Sequence, residues 1–303
     1  MDEIDYKLEK IHNCVQLHSG NMKSEYPEQR LAIKYINPNS KVLELGSNIG
    51  INSIIISNIL NNDKNLVTLE CDVSHIDNLT YNRNINGLTF NIEPSALSSI
   101  PLARRGWHTF PITNGNVPEN CVYVNTITYE QLLNKYNVIF DTIVADCEGA
   151  LFYILKDIPY ILDNISLLIV ENDYILLEHK IFVDNVLLQY NFKNICSIPG
   201  GFTNSPCYNC FYEVWEKKQL INKQTYYYNN NYTHPINISF FNDDSIRVSS
   251  SYWKDDFGIF CKETNQIKFN YLGKGTMSIS NNFITFENGG IWHKDNNQNI
   301  KVR

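Results

Sequence analysis

The sequence predicts an α/β fold, with a doubly wound seven-stranded sheet that is mostly parallel, an antiparallel strand at one edge, and a small all-β domain at the C-terminal end. Three observations predict it. Short apolar runs bounded by turn residues alternate with longer amphipathic stretches from about Lys41 to Trp215, the signature of parallel strands joined by helical crossovers. From Gln219 to His234 the pattern gives way to polar, Tyr- and Asn-rich sequence that reads as a linker. Beyond it, short alternating runs are separated by tight turns, which favour hairpins. The expected division is therefore 1–218, a linker at 219–234, and a small antiparallel domain at 235–303.

In the first part the expected strands are Lys41–Leu45, Leu66–Glu70, Thr89–Glu93, Asp141–Asp146, Leu167–Glu171, Lys193–Ser197 and Phe211–Trp215. Helices are expected at Asn52–Leu60, Ser74–Asn84, Leu151–Leu155 and Leu176–Gln189. The last two strands lie close in sequence, joined through Pro199, Gly200, Gly201 and Pro206, as an antiparallel pair at one end of the sheet would be. In the tail, strands are expected at Ile236–Phe241, Ser245–Ser249, Gly258–Lys262, Gln266–Tyr271, Thr276–Ser280, Phe283–Glu287 and Gly290–His293. The turns between them include Asn242-Asp243-Asp244, Gly273-Lys274-Gly275, Asn281-Asn282 and Asn288-Gly289.

At 303 residues, with 43% apolar and 19% charged residues, the chain can bury a substantial core. A net charge of −7 without any Lys/Arg run argues against nucleic-acid and membrane partners, both of which need clustered positive charge. Met1–Lys10 lacks a signal-peptide apolar stretch and no segment reaches 18 apolar residues, so a cytoplasmic location is expected, in the host cytoplasm were the chain viral. The eight cysteines are scattered. Only Cys207 and Cys210 form a C-x-x-C, with no second pair to complete a zinc site, so reduced thiols are expected. Nothing in the sequence sets an oligomeric state.

Three motifs carry chemistry. In V-L-E-L-G-S-N-I-G, Val42 to Gly50, an apolar strand runs through Glu44 into Gly46, Ser47, Asn48 and Gly50, and a helix follows. Glycines let such a turn approach a ligand, and the helix start offers backbone donors. Ser47 and Asn48 break the three-glycine nicotinamide pattern; Glu44 can instead orient the cationic methionine end of a nucleoside cofactor through the loop. Glu70 ends the next strand twenty residues after Gly50, where a carboxylate can accept hydrogen bonds from both ribose hydroxyls. Ser95, Ala96 and Leu97 follow the third strand, where small residues can lie against an adenine ring. Finally, D-T-I-V-A-D-C-E-G-A places Asp146 and Glu148 at the carboxyl end of a central strand, beside Glu171, Asn172 and Asp173 on its neighbour. Carboxylates converging at one rim repel without a cation or proton. Two explanations compete: they ligate a divalent ion, Mg²⁺ being the natural choice, or one acts as general base on an acceptor hydroxyl.

Together these residues resemble the FkbM family of S-adenosylmethionine-dependent methyltransferases, which have a class I Rossmann-like fold. The loop pattern is matched by Glu44, Gly46, Asn48 and Gly50, the second-strand acid by Glu70, and the later D-x-E-G by Asp146, Glu148 and Gly149. Ala96-Leu97-Ser98 is similar to the family's third-strand exit, and Gly20–Gln29, with Met22 and Tyr26-Pro27-Glu28-Gln29, to a lead-in found in some members, including ones from large DNA viruses. The similarity covers Gly20 to Trp215. It departs at Cys71, where many relatives have proline, and at Glu171-Asn172-Asp173, where an acid followed by His is usual. Glu171-Asn172 instead looks similar to the fifth-strand ligands of metal-dependent catechol-type O-methyltransferases, with Asp146 as the fourth-strand ligand.

The resemblance implies S-adenosylmethionine as cofactor, held by Glu44, Gly46, Ser47, Asn48, Gly50, Glu70, Ser95, Ala96 and Asp146. It implies methyl transfer to a hydroxyl, with Asp146, Glu148 and Glu171 at the chemistry, and Asp146, Glu171 and Asn172 as ligands were a metal used. His179 is a further proton acceptor to consider. The expected acceptor is a small molecule or glycan, with Trp107, His108 and Tyr129 as candidate pocket residues. Rival readings are N-methylation of an amino-sugar or protein, a non-catalytic relic fold serving assembly or glycan binding, and, weakest, a nucleotide-dependent oxidoreductase. Trp253, Phe257 and Trp292 in the tail are expected to form core rather than a carbohydrate platform.

Overall fold

The structure, a computed structural model, describes residues 2–113, 115–200, 203–228, 235–251, 253–277, 283–287 and 290–294. The chain divides into two compact units, Met1–Lys217 and Lys218–Arg303.

The first unit begins with two helices absent from the sequence expectation, α1 (Glu3–Cys14) and α2 (Tyr26–Tyr35). The Asp2 carboxylate caps α1 by accepting the Asp5 amide at 2.8 Å, and Pro27 lies in the first turn of α2, where its missing N–H costs nothing. Then follow β1 (Val42–Leu45), α3 (Ile51–Ile59), β2 (Leu66–Leu69), α4 (Val73–Ile85) and β3 (Asn91–Glu93). Short strands β4 (Ala96–Leu97), β5 (Leu102–Arg105), β6 (His108–Pro111), β7 (Val122–Val124) and β8 (Thr126–Ile127) fill the next segment. The remainder is α5 (Tyr129–Tyr136), β9 (Thr142–Ala145), α6 (Leu151–Asp157), β10 (Leu167–Glu171), α7 (Leu177–Gln189), β11 (Phe192–Ile198) and β12 (Tyr212–Lys217).

Among the described residues seven strands form one sheet in the order β11-β12-β10-β9-β1-β2-β3. Only β12 runs antiparallel, to both β10 and β11. It inserts one position in from the edge, because the hairpin from β11 folds back into the gap beside β10. This is the doubly wound, mostly parallel Rossmann-like arrangement expected from the strand–helix alternation. Alternation along the strands divides the core: Leu43, Leu45, Val67, Leu69, Ile143, Ala145, Leu168 and Val170 pack on one face, and Val42, Leu66, Val144, Ile169 and Val214 on the other. Covering both faces makes the strands nearly continuous apolar runs. Helix α5, also missed from the sequence, carries a full capping box: the Thr128 hydroxyl accepts the Gln131 amide, and the Gln131 side chain accepts the Thr128 amide.

In the second unit, strands β13 (Leu220–Tyr228), β14 (Pro235–Phe241), β15 (Ser245–Ser250), β16 (Trp253–Cys261), β17 (Gln266–Phe269), β18 (Lys274–Met277), β19 (Phe283–Phe286) and β20 (Ile291–Lys294) close an antiparallel barrel. The expected linker 219–234 is thereby corrected: 220–228 is a barrel strand, and 229–234 lie outside the described residues. Tyr and Thr are good strand formers, and Thr225 and Tyr226 are buried, so composition had disguised a paired strand as a spacer. The turns at Asn281-Asn282 and Asn288-Gly289 fall outside the described residues, as does the Trp253 side chain. Trp292 is core, as expected, packed on Phe286 with ring centroids 4.6 Å apart. Phe257 is half-buried. Gly258 is required where it stands, since a Cβ there would lie 2.2 Å from the Lys268 carbonyl oxygen.

Candidate active site

The loop after β1 is shaped by what it must pass. Gly46 has φ +84°, and a Cβ on it would stand 1.8 Å from the carbonyl oxygen of Asp146, so only glycine lets this loop cross the end of β9. The Gly46 and Ser47 amides both donate to the Leu69 carbonyl, at 3.0 and 3.2 Å. Asn48 takes a left-handed conformation, φ 49°, and α3 starts immediately after Gly50. The loop is thus stitched to the end of β2, where Glu70 stands.

Beside this loop opens a cleft between the ends of β1, β2 and β9 and the segment 95–111. The Glu70 carboxylate lines it, almost buried, accepting the Asn48 amide at 2.7 Å on one oxygen and the Asp72 amide at 2.6 Å on the other. Each oxygen keeps a further lone pair for a ligand hydroxyl. Burial holds this carboxyl above the usual range, against the pull of the two amides. Ser95, Ala96 and Leu97 form the facing wall. The Ser95 hydroxyl donates to Glu93 at 2.8 Å, and Glu93 is held by Lys135 and Tyr136 of α5; that hydroxyl is a strut for the wall.

Of the expected cofactor residues, Gly46, Asn48, Glu70, Ser95, Ala96 and Asp146 line the cleft, whereas Glu44, Ser47 and Gly50 do not. Ser47 turns its amide and hydroxyl to Leu69, and Gly50 backs onto Leu79. Glu44 lies beneath the loop, where it accepts from the Ser53 hydroxyl at 2.5 Å while its Oε1 has no partner. Burial pushes its carboxyl up to about 7. Strand alternation turns Glu44 away from Leu43 and Leu45, towards α3, so that any part it has in holding a cofactor is through the loop above it.

A second cluster sits where β9 and β10 end side by side, Ala145 opposite Val170. Asp146 and Glu148 line the cleft, in a tight turn with Glu148 at φ 54° and Gly149 at φ 76°. Non-glycine residues in that region carry strain, a frequent feature of functional sites. Carboxylate oxygens of Asp146, Glu171 and, from α2, Glu28 all lie within 4.8 Å of one another. Sequence reasoning quoted Glu28 only within the Tyr26-Pro27-Glu28-Gln29 lead-in and gave it no role at the site. Asn172, an expected metal ligand, is turned away: its amide nitrogen donates to the Cys210 carbonyl at 2.5 Å and to Glu213 at 3.2 Å. Consecutive residues at a strand end face opposite ways, which corrects that assignment.

Burial and mutual repulsion raise the carboxyls of Asp146 and Glu171 far above their ordinary values and raise that of Glu148 as well, while burial alone raises that of Asp173, against a hydrogen bond with Glu171. His108 opposes this at Glu148 and Asp173. Its Nδ1 is 3.3 Å from the Glu148 carbonyl oxygen. Trp107 lines the cleft, more than half exposed, with its ring stacked on His75 at 5.4 Å. Tyr129 and His179 are not part of the cleft: Tyr129, the first residue of α5, is buried in the core, and the His179 ring stacks on Phe152 at 3.7 Å. Arg104, unforeseen, reaches the cleft paired with Asp72 at 2.9 Å.

No protein-family model matches the sequence, and no curated protein matches it. Among solved structures, the chain is similar to an O-methyltransferase from Bacillus cereus in complex with S-adenosylhomocysteine, at 12% identity and a TM-score of 0.41, covering 72% of this chain and 92% of that one. It is also similar to an rRNA methylase from Streptococcus thermophilus, at 10% identity and a TM-score of 0.40, covering 67% and 100%. The fold assignment rests on the strand order itself, and the site on its own residues.

Proposed function

We propose that this chain is an S-adenosylmethionine-dependent methyltransferase that methylates a hydroxyl of a sugar or glycan. The observation that carries the reading is Glu70, fixed at the end of β2 by two backbone amides with its carboxylate facing the cleft. A diol such as a ribose matches the two lone pairs left on it, and a carboxylate there disfavours a 2′-phosphate. Ser95, Ala96 and Leu97 would take the adenine face. Asp146, which also lines the cleft, is the acid assigned to the chemistry in this reading.

S-adenosylmethionine, held by Glu70 and the loop at Gly46 and Asn48, would supply an activated methyl for an acceptor hydroxyl. The chain's own work is alignment, worth up to about 7–11 kcal/mol in the best intramolecular cases, and removal of the hydroxyl proton. Asp146 and Glu148 are the proton acceptors that line the cleft, and their raised carboxyls bring them closer to the affinity a general base needs near neutral pH. Glu171 stands beside Asp146, their carboxylate oxygens within 4.8 Å of each other. Trp107 offers an exposed aromatic face of the kind that sugar C–H edges lie against. The number of acids is the observation behind a second reading, an amino-sugar or protein amine that binds as its ammonium, gives a proton to one of these carboxylates and is then methylated on nitrogen.

Incubating the full chain with S-adenosylmethionine and a panel of sugars and amino-sugars tests this by mass spectrometry. The proposal expects S-adenosylhomocysteine together with one added methylene mass on a hydroxyl of a sugar. Methyl on nitrogen alone selects the second reading. No binding of the cofactor would remove both.

A further inference from the structure

We propose that Glu28, Asp146 and Glu171 bind a divalent cation of the Mg²⁺ class, with the N-terminal helix α2 supplying the third ligand. The site stands on the carboxylate geometry alone; its use in lowering the pKa of an acceptor hydroxyl rests on the methyltransferase reading above.

Three elements remote in sequence each bring one carboxylate to the same point: α2, the turn after β9, and the end of β10. Their oxygens lie within 4.8 Å of one another, a spacing that small inward movement converts to the coordination shell of one ion. Further acids, Glu25, Glu148 and Asp173, surround the three. Among the described residues no Lys or Arg forms an ion pair with any of the six, and His108 alone opposes their charge, at Glu148 and Asp173.

Glu28 is the independent observation. It is 95% buried, 5% of its surface remaining exposed, and its Oε2 has no hydrogen-bond partner although the residue is aimed into the cluster. A buried carboxylate is normally paired, because taking an ion out of water costs several kcal/mol even after relaxation. An apolar residue at this point of α2 would join Leu31 and Ala32 in the core without that cost. The all-oxygen donor set selects a hard cation over zinc or copper. Three carboxylates leave open positions for water or an acceptor oxygen, as Mg²⁺ sites do.

The site makes α2 part of the active centre. Helix α1 and α2 are tied together by Arg30 with Asp2 and Asp5 and by the Tyr26 hydroxyl on Asp5, so an ion held by Glu28 anchors the N-terminal arm to the sheet.

The test is titration of the chelator-treated full chain with Mn²⁺, followed by electron paramagnetic resonance, with the melting temperature measured alongside. The proposal expects one Mn²⁺ per chain, displaced by Mg²⁺, and a higher melting temperature with the ion. Loss of a supporting partner alone weakens metal sites by about 10–100-fold, so E28Q and E171Q should each weaken Mn²⁺ at least that much. E28Q, isosteric and relieved of buried charge, should melt no lower than the wild type without metal, which separates lost ligation from lost folding. No Mn²⁺ uptake at millimolar ion, or unchanged affinity in E28Q, overturns the site. Uptake of S-adenosylmethionine by the metal-free chain, measured in the same preparation, reports on the methyltransferase reading separately: a chain that takes Mn²⁺ but no cofactor keeps this site and loses that function.

Discussion

The backbone amide of Asn48 donates to the side chain of Glu70 at 2.7 Å, tying the loop that leaves the first strand to the acid that ends the second. The bond fixes two things at once: the left-handed turn at Asn48 and the direction of the carboxylate. The ligand-facing geometry is thus set before any ligand arrives, which lowers the ordering cost of binding.

Replacing Glu70 with Gln should weaken S-adenosylmethionine. Hydrogen bonds to a charged group contribute about 1.5–3 kcal/mol, so calorimetric titration should show an affinity loss of about 10–150-fold. Unchanged affinity would place the ribose elsewhere.

Gly46→Ala should destabilise the first unit by at least about 3 kcal/mol in urea unfolding, the sum of left-handed strain and a backbone collision. The control is Gly106→Ala, also left-handed at φ +61° but with nothing within 4 Å of its Cβ. That change should cost no more than about 1–2 kcal/mol.

Stability should fall with rising pH. Burial, aided by Glu28 and Glu44, pushes the Glu25 carboxyl up to about 8, and burial pushes Glu44 to about 7, both from an ordinary 4.5. A carboxyl raised on folding holds its proton more tightly in the folded state. Its contribution is therefore complete below 4.5 and is lost as pH rises through the folded value. Across that window the metal-free chain should lose more than about 2 kcal/mol, and Glu25→Gln should flatten the profile. A stability curve rising over the same window would contradict the charge balance described here.

Trp107→Ala should leave cofactor affinity unchanged and alter stability by less than about 0.5 kcal/mol, as for an exposed side chain. It should raise KM for a sugar acceptor. An unchanged KM would separate this ring from acceptor binding.

How much of this was legible in the sequence follows from where each signal is written. The strands of the main sheet are buried on both faces, so Val42–Leu45, Leu66–Leu69 and Thr142–Ala145 announce themselves as apolar runs. The glycine loop and Glu70 were legible because local backbone chemistry demands them. Asn172 misled because proximity to Glu171 in sequence says nothing of the face it occupies at the strand end. Glu28 could not be found by spacing from Asp146, since only the packing of α2 on the sheet brings it there. Strand β13 was hidden by composition: Gln, Thr and Tyr read as polar, yet Thr225 and Tyr226 are buried once the barrel supplies an inside.

The most direct test of the central claim is calorimetric titration of the full chain with S-adenosylmethionine, with S-adenosylhomocysteine as competitor and NAD as control. The account predicts one saturable site per chain that S-adenosylhomocysteine occupies in competition, and no heat from NAD. Absence of S-adenosylmethionine binding, or saturable binding of NAD at the same site, would contradict it.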